Sequence, residues 1–351
     1  MAAARAAGLR YVSDEEPGYR RIMKRGRFII LDDRGAVVRD RATLKRVASL
    51  VVPPAWTEVW ICKHASGHIQ ATGRDVRGRK QYRYHPRWRE VRDLAKFEDT
   101  LLFARALPRL RERVDHDLAL PGLSKDKVIA AILRIMEDTR IRIGNDEYAR
   151  SNDSYGLSTL CDRHATIEGP SVELKFRGKA GKMHRARLSD PVIARIVRRC
   201  RDVPGQRLFQ WIDEAGVGHP VTSTDVNEYI RRATEGPFTA KEVRTWAGTV
   251  AAATLLYRAE RRASEAHARR CIKAVIVAVA EQLGNTAAVC RKSYVHPGVL
   301  TAYNDGTLHA RFGRCLASAR ARRARRLRIE ERAVLSFFEW IASRPALPLA
   351  A

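Results

Sequence analysis

The sequence predicts an α+β protein with a small, mostly β domain over residues 1–90 and a larger, mainly helical domain over residues 91–351. Within the first ninety residues, short apolar runs alternate with turns and with proline or glycine breaks. From about Asp93 onward, apolar residues recur at steps of three and four, which is the period of a helix. A chain of 351 residues is also long enough for about two domains.

Three segments predict the strands of the first domain. The run "RGRFIILDDRGAVV" ends in a turn, "VVPPAWTEVWICK" follows a Pro-Pro break, and "GHIQATGRDVRGRKQYRYHPRW" is rich in glycine and aromatic residues. In the last segment Gln81, Tyr82 and Tyr84 lie along a strand, with both tyrosines on one face and Arg83 on the other. The two tyrosines belong either to a small core or to a binding surface.

The larger domain contains one short sheet among its helices. The segment "SVELKFRGKAGKMHRARL" alternates apolar and polar residues on both sides of a glycine-containing turn, which predicts a β-hairpin with Lys179 at its tip. Gly178 and Gly181 permit a tight turn there. An exposed lysine at such a tip is by default a solubilising charge.

Two helices are well marked. Thr239 and Glu242 form a capping box, which places Arg244 in the second turn of the helix that follows. Gly284 ends the second of these helices, "RRCIKAVIVAVAEQLG". Asn285 then opens a short helix over 286–294 that ends in Tyr294, and a purely structural role as N-cap is one interpretation of Asn285.

The C-terminal segment "ARARRARRLRIEERAVLSFFEWI" predicts one basic, amphipathic helix. Its charges are expected to form a solvated face.

The charge of the chain indicates a polyanionic partner. The formal net charge is +27, and such a surface attracts phosphate and gains free energy by releasing counterions. Nucleic acid is therefore the leading ligand. The longest apolar run, at 274–280, is far below the roughly 20 residues that span a bilayer, so no membrane segment is expected. The N-terminus lacks the apolar stretch of a signal peptide, which favours an intracellular protein.

No metal or cofactor is expected from the sequence. The six cysteines are scattered, without the spacing of a zinc site, and no cluster of carboxylates suits magnesium. Neither "GxxxxGK[ST]" nor "GxGxxG" occurs. Any catalysis must therefore use side chains.

The segment "AVCRKSYVHPGVL" places Tyr294 just after a basic pair. The residues alone leave three roles open for it: a core aromatic, a contact to nucleic acid, or a nucleophile. His296 is close along the chain, either as a base or as a solvent-facing histidine.

Taken in order, four blocks resemble the type IB DNA topoisomerase family, and above all its small poxviral and bacterial members. The blocks are "RIRIGNDEYARSNDSYGLSTL", "KFRGKAG", "TAKEVRTWAGT" and "NTAAVCRKSYVHP". The N-terminal "PPAWTEVWIC" and "GHIQATGRDVRGRKQYRYH" resemble the DNA-clamping domain of that family. The resemblance covers nearly the whole chain.

The resemblance implies a role for each matched position. Arg142 and Arg244 are the catalytic arginines, Lys179 the catalytic lysine and Tyr294 the nucleophile. Asn285 departs from the histidine of eukaryotic and viral members, as it commonly does in bacterial ones, and can donate a hydrogen bond but no proton at neutral pH.

The resemblance also implies a fold and a function. The catalytic core is of the kind shared with tyrosine recombinases, and the two domains form a two-lobed DNA clamp. The implied activity is relaxation of positive and negative supercoils through a 3′-phosphotyrosyl intermediate, without ATP or metal. The implied protein is a bacterial monomer that binds double-stranded DNA in the cytoplasm, at the nucleoid.

Further residues are implied to contact the DNA. They are Arg79, Lys80, Gln81, Tyr82, Tyr84, Lys241 and Lys292.

Two alternatives remain open. A tyrosine recombinase would use the same Arg-Lys-Arg-Tyr chemistry, although the β-rich N-terminal domain argues against it. An architectural DNA-binding protein would use its positive charge alone and form no covalent adduct.

Overall fold

The computed structural model describes residues 8–321 and 326–343. These residues divide into two compact units, the first ending at Glu98 and the second beginning at Asp99. The division falls inside a long helix that begins at Pro86, whereas the sequence placed the boundary between residues 90 and 91.

The described part of the first unit is built on an antiparallel sheet with one helix packed against it. The sheet has five strands, which lie in the order Arg27–Leu31, Tyr19–Lys24, Thr57–Ile61, Ile69–Arg74 and Lys80–Tyr84. Its mostly β character is confirmed. The apolar residues of the sheet, among them Ile30, Val59 and Ile61, pack against Leu44 and Val47 of the helix. In chain order, the elements of this unit are β1 (Tyr19–Lys24), β2 (Arg27–Leu31), α1 (Arg41–Ser49), β3 (Thr57–Ile61), β4 (Ile69–Arg74) and β5 (Lys80–Tyr84).

The turn between β1 and β2 shows how the local sequence sets the register of these strands. Arg25 and Gly26 both have positive φ, at 49° and 74°, and Lys24 pairs with Arg27. A two-residue turn with positive φ at both positions matches the right-handed twist of the flanking strands.

The second unit is mainly helical, as predicted. Its helices are α2 (Pro86–Leu118, which starts in the first unit), α3 (Lys125–Thr139), α4 (Asp146–Asn152), α5 (Pro191–Arg201), α6 (Ser223–Thr234), α7 (Ala240–Arg258), α8 (Glu265–Gln282), α9 (Ala287–Ser293), α10 (Pro297–Asn304), α11 (Thr307–Ala321) and α12 (Ile329–Ala342). Its strands are β6 (Ala165–Glu168), β7 (Ser171–Arg177), β8 (Met183–Ser189), β9 (Gln210–Ile212) and β10 (Gly218–Pro220).

The predicted hairpin is present as β7 and β8. Val172, Leu174 and Phe176 point into the core, because successive side chains of a strand alternate between its two faces. A third strand, β6, pairs with β7, and β9 pairs with β10 elsewhere in the unit. These three short strands were not predicted.

The core of the second unit is formed around α3 and α7. The α3 residues Val128, Ile129, Ile132 and Met136 are at most 1% exposed. Full burial of one such side chain stabilises a fold by about 1.5–3 kcal/mol. Helix α7 begins at the predicted capping box, in which the backbone N–H of Thr239 donates to Glu242 Oε2 at 2.9 Å.

The prediction of a single C-terminal helix is wrong. Helix α11 ends at Ala321 and α12 begins at Ile329, with Arg328 as its N-cap. The physical reason lies in Glu331, which accepts hydrogen bonds from the Arg328 backbone N–H at 2.7 Å and from both Nη atoms of Arg111 on α2. These bonds start a new helix here and attach it to the core.

Helix α10 starts at Pro297, three residues after Tyr294, and His296 is its N-cap. The Nδ1 atom of His296 accepts a hydrogen bond from the Gly298 backbone N–H at 3.0 Å, and its ring lies 4.1 Å from the ring of Phe338. Burial lowers the pKa of His296 to about 4. The imidazole is therefore a neutral, half-buried cap at pH 7, not a solvent-facing side chain.

We expect acid to destabilise the fold through His296. In the unfolded chain His296 takes up a proton as the pH falls below 6.5, whereas in the folded protein it takes up a proton only near pH 4. The free energy of unfolding therefore decreases as the pH falls from 6.5 to about 4. The two pKa values differ by an amount worth about 3 kcal/mol.

The variant His296→Asn keeps a capping acceptor but does not titrate, and urea unfolding at pH 7, 6, 5 and 4 should show a shallower loss of stability. The variant His64→Asn, which removes an exposed histidine, should follow the wild type. Equal pH slopes for wild type and His296→Asn would contradict this assignment.

Candidate active site

Five elements of the second unit bring the predicted catalytic residues together. Arg142 follows α3, Lys179 lies in a one-turn helix between β7 and β8, and Arg244 lies on α7. Asn285 lies between α8 and α9, and Tyr294 ends α9. Four of the five line one cavity of about 260 Å³, and the fifth, Asn285, is hydrogen-bonded to Arg142.

The arginine Arg244 is almost completely buried, with 4% of its surface exposed. Its Nη2 donates to the carbonyl oxygen of Leu283 at 2.7 Å and its Nη1 donates to that of Arg140. Burial, followed by the charge of Arg142, lowers the pKa of Arg244 to about 10. The guanidinium therefore still carries its charge at pH 7.

The segment around Arg142 explains why the block "RIRIGNDEYARSNDSYGLSTL" is a single structural feature. The backbone N–H of Leu157 donates to the Arg142 carbonyl at 2.9 Å, which joins the two ends of the block. Gly144 and Gly156 lie back to back, and a Cβ on Gly156 would come within 2.5 Å of the Gly144 nitrogen. Only glycine allows this approach of two backbones.

The guanidinium of Arg142 is held by the loop between α8 and α9. Its Nη2 donates to the Gly284 carbonyl at 3.1 Å and also to Asn285 Oδ1. Burial lowers the pKa of Arg142, and the nearby Tyr294 opposes that effect. Three successive residues, Leu283 to Asn285, thus supply acceptors to the two predicted catalytic arginines.

The interpretation of Asn285 as an N-cap is wrong by one residue. The N-cap of α9 is Thr286, whose hydroxyl accepts from the Val289 backbone N–H, and the helix runs from Ala287 to Ser293. Asn285 is 8% exposed, and its Nδ2 has no hydrogen-bond partner among the described residues. A buried donor left without an acceptor costs about 1–3 kcal/mol. Its amide therefore suits a ligand oxygen better than a helix cap.

Tyr294 is held by its backbone at the end of α9. Its N–H donates to the Cys290 carbonyl at 2.9 Å, and its own carbonyl accepts from Thr249 Oγ1 on α7 at 3.3 Å. The guanidinium of Arg244 lies 5.4 Å from the centre of its ring. The ring is half-buried and lines the cavity.

The predicted DNA contacts lie in both units. Lys241 lines the cavity and Lys292 is exposed on α9. The other five lie at the turn before β5 and along β5 in the first unit. Tyr82 and Tyr84 stack with their ring centres 5.7 Å apart, and neither belongs to the core of that unit. Arg83, on the opposite face, donates to the Val51 carbonyl at 2.8 Å.

Three of the predicted DNA-contacting side chains of the first unit are paired with aspartates. Arg79 pairs with Asp75 at 2.7 Å and Lys80 pairs with Asp14 at 2.6 Å. Gln81 Nε2 also donates to Asp75, at 3.0 Å.

Two residues of the site were missed in the sequence. Tyr155 lines the cavity, and its hydroxyl accepts from Arg163 Nη2 at 3.0 Å. His184, on β8, lies against the loop that carries Asn285. Tyr155 lay inside a matched block, and the alternation of β8 could have drawn attention to His184.

The described residues show neither a metal-binding cluster nor a single membrane-spanning helix. Among residues 8–321 and 326–343, no group of three or more His, Cys, Asp or Glu is placed to hold a metal ion. Within the same ranges no single helix is both long enough and apolar enough to cross a membrane. Helices α8 and α9 taken together have that length and apolar composition, but they are bent by 94° relative to each other.

The solved structures that partly match this chain include two complexes of the XerH site-specific recombinase with difH DNA. The post-cleavage complex is 18% identical, with a TM-score of 0.34, over 54% of this chain and 47% of the recombinase. The pre-cleavage complex is 19% identical, with a TM-score of 0.32, over 55% of this chain and 49% of the recombinase. The likeness thus spans about half the length of each recombinase chain.

Sequence comparison identifies the family. Residues 85–311 match the family described as eukaryotic DNA topoisomerase I, catalytic core, and residues 27–75 match the bacterial DNA topoisomerase IB, N-terminal domain. The chain is 32% identical over 270 residues to the DNA topoisomerase 1B of Acanthamoeba polyphaga mimivirus, covering 75% of this chain and 80% of that protein. Because the catalytic-core match spans more than half of this chain, the chain belongs to the type IB DNA topoisomerase family.

Proposed function

We propose that this protein relaxes positive and negative DNA supercoils by cutting one strand, allowing rotation and resealing the cut, without ATP or metal. The observation that carries the proposal is the convergence of Arg142, Lys179, Arg244 and Tyr294 on one cavity. The net charge of +27 agrees with a polyanionic substrate.

The two arginines would bind the phosphate to be cut. Attack at phosphorus builds negative charge on the non-bridging oxygens, and a planar guanidinium can donate two parallel hydrogen bonds to them. The described acceptors of Arg142 and Arg244 in the Leu283–Asn285 loop are neutral oxygens, so they do not cancel the positive charge of the two guanidinium groups. The Nδ2 atom of Asn285 supplies a further donor.

Cleavage exchanges one ester bond for another. The phenolic oxygen of Tyr294 forms a bond to phosphorus and releases its proton to water, while the bond from phosphorus to the 5′ oxygen breaks. Lys179 donates a proton to that leaving oxygen, because an alkoxide is a poor leaving group. The 3′-phosphotyrosyl bond conserves the energy of the phosphodiester, so the reverse reaction reseals the strand.

The first unit would supply the other DNA contacts. The side chains of Arg79, Lys80, Gln81, Tyr82 and Tyr84 would lie against the duplex, positioning it without reading every base. Lys241 and Lys292 would contact the backbone beside the cavity. The protein would act as a monomer on double-stranded DNA, in the cytoplasm at the nucleoid.

The alternatives are separable by experiment. A recombinase would exchange strands between paired sites, whereas a topoisomerase relaxes a plasmid that has no second site. An architectural protein would bind the plasmid and form no covalent adduct. The matches to both topoisomerase families support the first function over the other two.

The variant Tyr294→Phe should keep the affinity for DNA but lose supercoil relaxation by about 10⁴-fold or more, because it removes the nucleophile. It should also lose the denaturant-resistant protein–DNA adduct. The variant Tyr257→Phe changes a tyrosine outside the cavity and is the matched control. Plasmid relaxation and gel analysis of the adduct measure both effects, and relaxation at the wild-type rate in Tyr294→Phe would refute the proposal.

A glycine lets α7 approach the nucleophile closely. A Cβ on Gly248 would lie 2.6 Å from the Tyr294 carbonyl oxygen and 3.3 Å from its Cβ. Backbone cannot yield as a flexible side chain can, so alanine at this position must displace Tyr294.

The variant Gly248→Ala should therefore slow single-turnover cleavage by about a hundredfold, since a shift of about 1 Å in a reacting group has an effect of that size. DNA affinity should change little. The matched control is Gly313→Ala in α11, where the nearest atom to the new Cβ is the end of the Tyr257 side chain at 3.0 Å. Cleavage by Gly248→Ala at the wild-type rate would show that the position of Tyr294 tolerates this change.

Two variants test the donor role of Asn285. Removal of one preorganised donor slows a reaction by about a hundredfold or more, so Asn285→Ala should lose that much in cleavage rate. Asn285→His restores an N–H donor and should stay within about tenfold of wild type. Single-turnover cleavage of a DNA oligonucleotide measures both. A folded but inert Asn285→His would show that the site has a different shape.

A further inference from the structure

His184 lies between two parts of the active site that come from distant regions of the chain. It is half-buried on β8, where it pairs in register with Phe176 of β7. The two rings stack with their centres 5.3 Å apart and their planes 11° from parallel. Within the described residues the ring nitrogens of His184 make no hydrogen bond, so the ring is held by packing alone.

Two glycines mark the position of the imidazole. A Cβ on Gly178 would lie 2.4 Å from His184 Cδ2, and a Cβ on Gly284 would lie 2.2 Å from His184 Cε1. The ring therefore contacts the backbone of both glycines. Gly178 directly precedes Lys179, and Gly284 directly precedes Asn285.

The other described link between the hairpin and this loop is weaker. Lys182 Nζ donates to the Asn285 carbonyl at 3.5 Å, and the Lys182 carbonyl accepts from the Gly178 backbone N–H at 2.8 Å. A hydrogen bond at 3.5 Å lies at the limit of the interaction. The imidazole is the more rigid spacer between the two segments.

Burial and the neighbouring positive charges favour the neutral form of the His184 ring. Burial lowers the pKa of His184, and Arg142, Arg244 and Lys182 lower it further. A neutral ring can lie beside these cations without repelling them. A flat, uncharged group is thus what this position requires.

We propose that His184 is a positioning residue for Lys179. Its ring fixes the distance between the hairpin and the Leu283–Asn285 loop, so that the lysine ammonium meets the leaving 5′ oxygen of the phosphate that Arg142 and Arg244 hold. This inference rests on the proposed function, in which Lys179 is the general acid. It assigns to a strand residue the alignment of acid and phosphate.

Comparison of two DNA substrates tests the proposal. One carries the natural 5′ oxygen at the cleavage site, and the other carries a bridging sulfur, which leaves as a thiolate without needing a proton. In single-turnover cleavage we expect His184→Ala to be roughly ten- to a hundredfold slower on the oxygen substrate, within the range that a general acid contributes. On the sulfur substrate it should stay within about threefold of wild type.

Three further variants sharpen the test. Lys179→Ala should show the same dependence on substrate, and adding His184→Ala to it should cause no further loss on the oxygen substrate. His184→Phe refills the space with a flat, uncharged ring and should recover most of the rate. His164→Ala removes an imidazole that also packs near Phe176, at 6.4 Å, and should affect both substrates equally.

Equal losses on the two substrates for His184→Ala, or an unchanged rate, would overturn the proposal. If His184→Ala does not fold, as judged by circular dichroism, the same comparison with His184→Leu decides the question. Failure of the proposed function would look different. The wild type would then form no covalent adduct with either substrate, whereas failure of this inference alone leaves wild-type cleavage intact.

Discussion

The active site depends on holding two guanidinium groups side by side without neutralising them. Arg142 and Arg244 repel each other, and the charge of Arg142 contributes to the lowered pKa of Arg244. Carboxylate partners would hold the two guanidinium groups in place, but they would also neutralise the positive charge that binds the phosphate. The Leu283–Asn285 loop instead offers two carbonyl oxygens and one amide oxygen. Neutral acceptors orient the arginines and leave their charge available.

Elsewhere the chain pairs its cations with carboxylates, and there the consequence is different. Arg111 is held between Glu137 and Glu331, with side chains 8–14% exposed, and fastens α12 to the core. In the first unit Lys80 is paired with Asp14, but the lysine is 46% exposed. An exposed pair contributes at most about 1 kcal/mol, so a DNA phosphate can replace the carboxylate at little cost. Buried pairs therefore serve structure, and exposed pairs are compatible with the DNA contacts that we propose for this surface.

The order of the matched blocks along the chain selected the five predicted site residues, and local patterns placed the elements that bring them together. The capping box before Arg244 and the hairpin around Lys179 are correct for local reasons. The N-cap interpretation of Asn285 was wrong because Thr286, one residue later, is an equally good N-cap by sequence. The tertiary bond from Arg142 to Asn285 and the capping bond of Thr286 distinguish the two residues. His184 was missed because its significance comes from Gly284, which is distant in the chain. The three short strands β6, β9 and β10 were missed because they depend on pairing partners and not on an apolar pattern.

In the proposed mechanism the general acid lies on a hairpin, whereas the phosphate clamp lies on helices and the loop between them. The different demands of proton transfer and of charge stabilisation account for this division. A clamp must be rigid, since its benefit comes from donors that need no rearrangement during the reaction. Helix α7, with Arg244 4% exposed, meets that need. An acid must instead reach the 5′ oxygen as its bond to phosphorus breaks and return the proton when the strand is resealed. Lys179 is exposed at the end of two strands, so its ammonium can follow that oxygen, while the contacts of the hairpin with the Leu283–Asn285 loop limit how far it strays. The site thus joins a fixed electrostatic part to a movable acid, and the backbone at Gly284 is where the two parts meet.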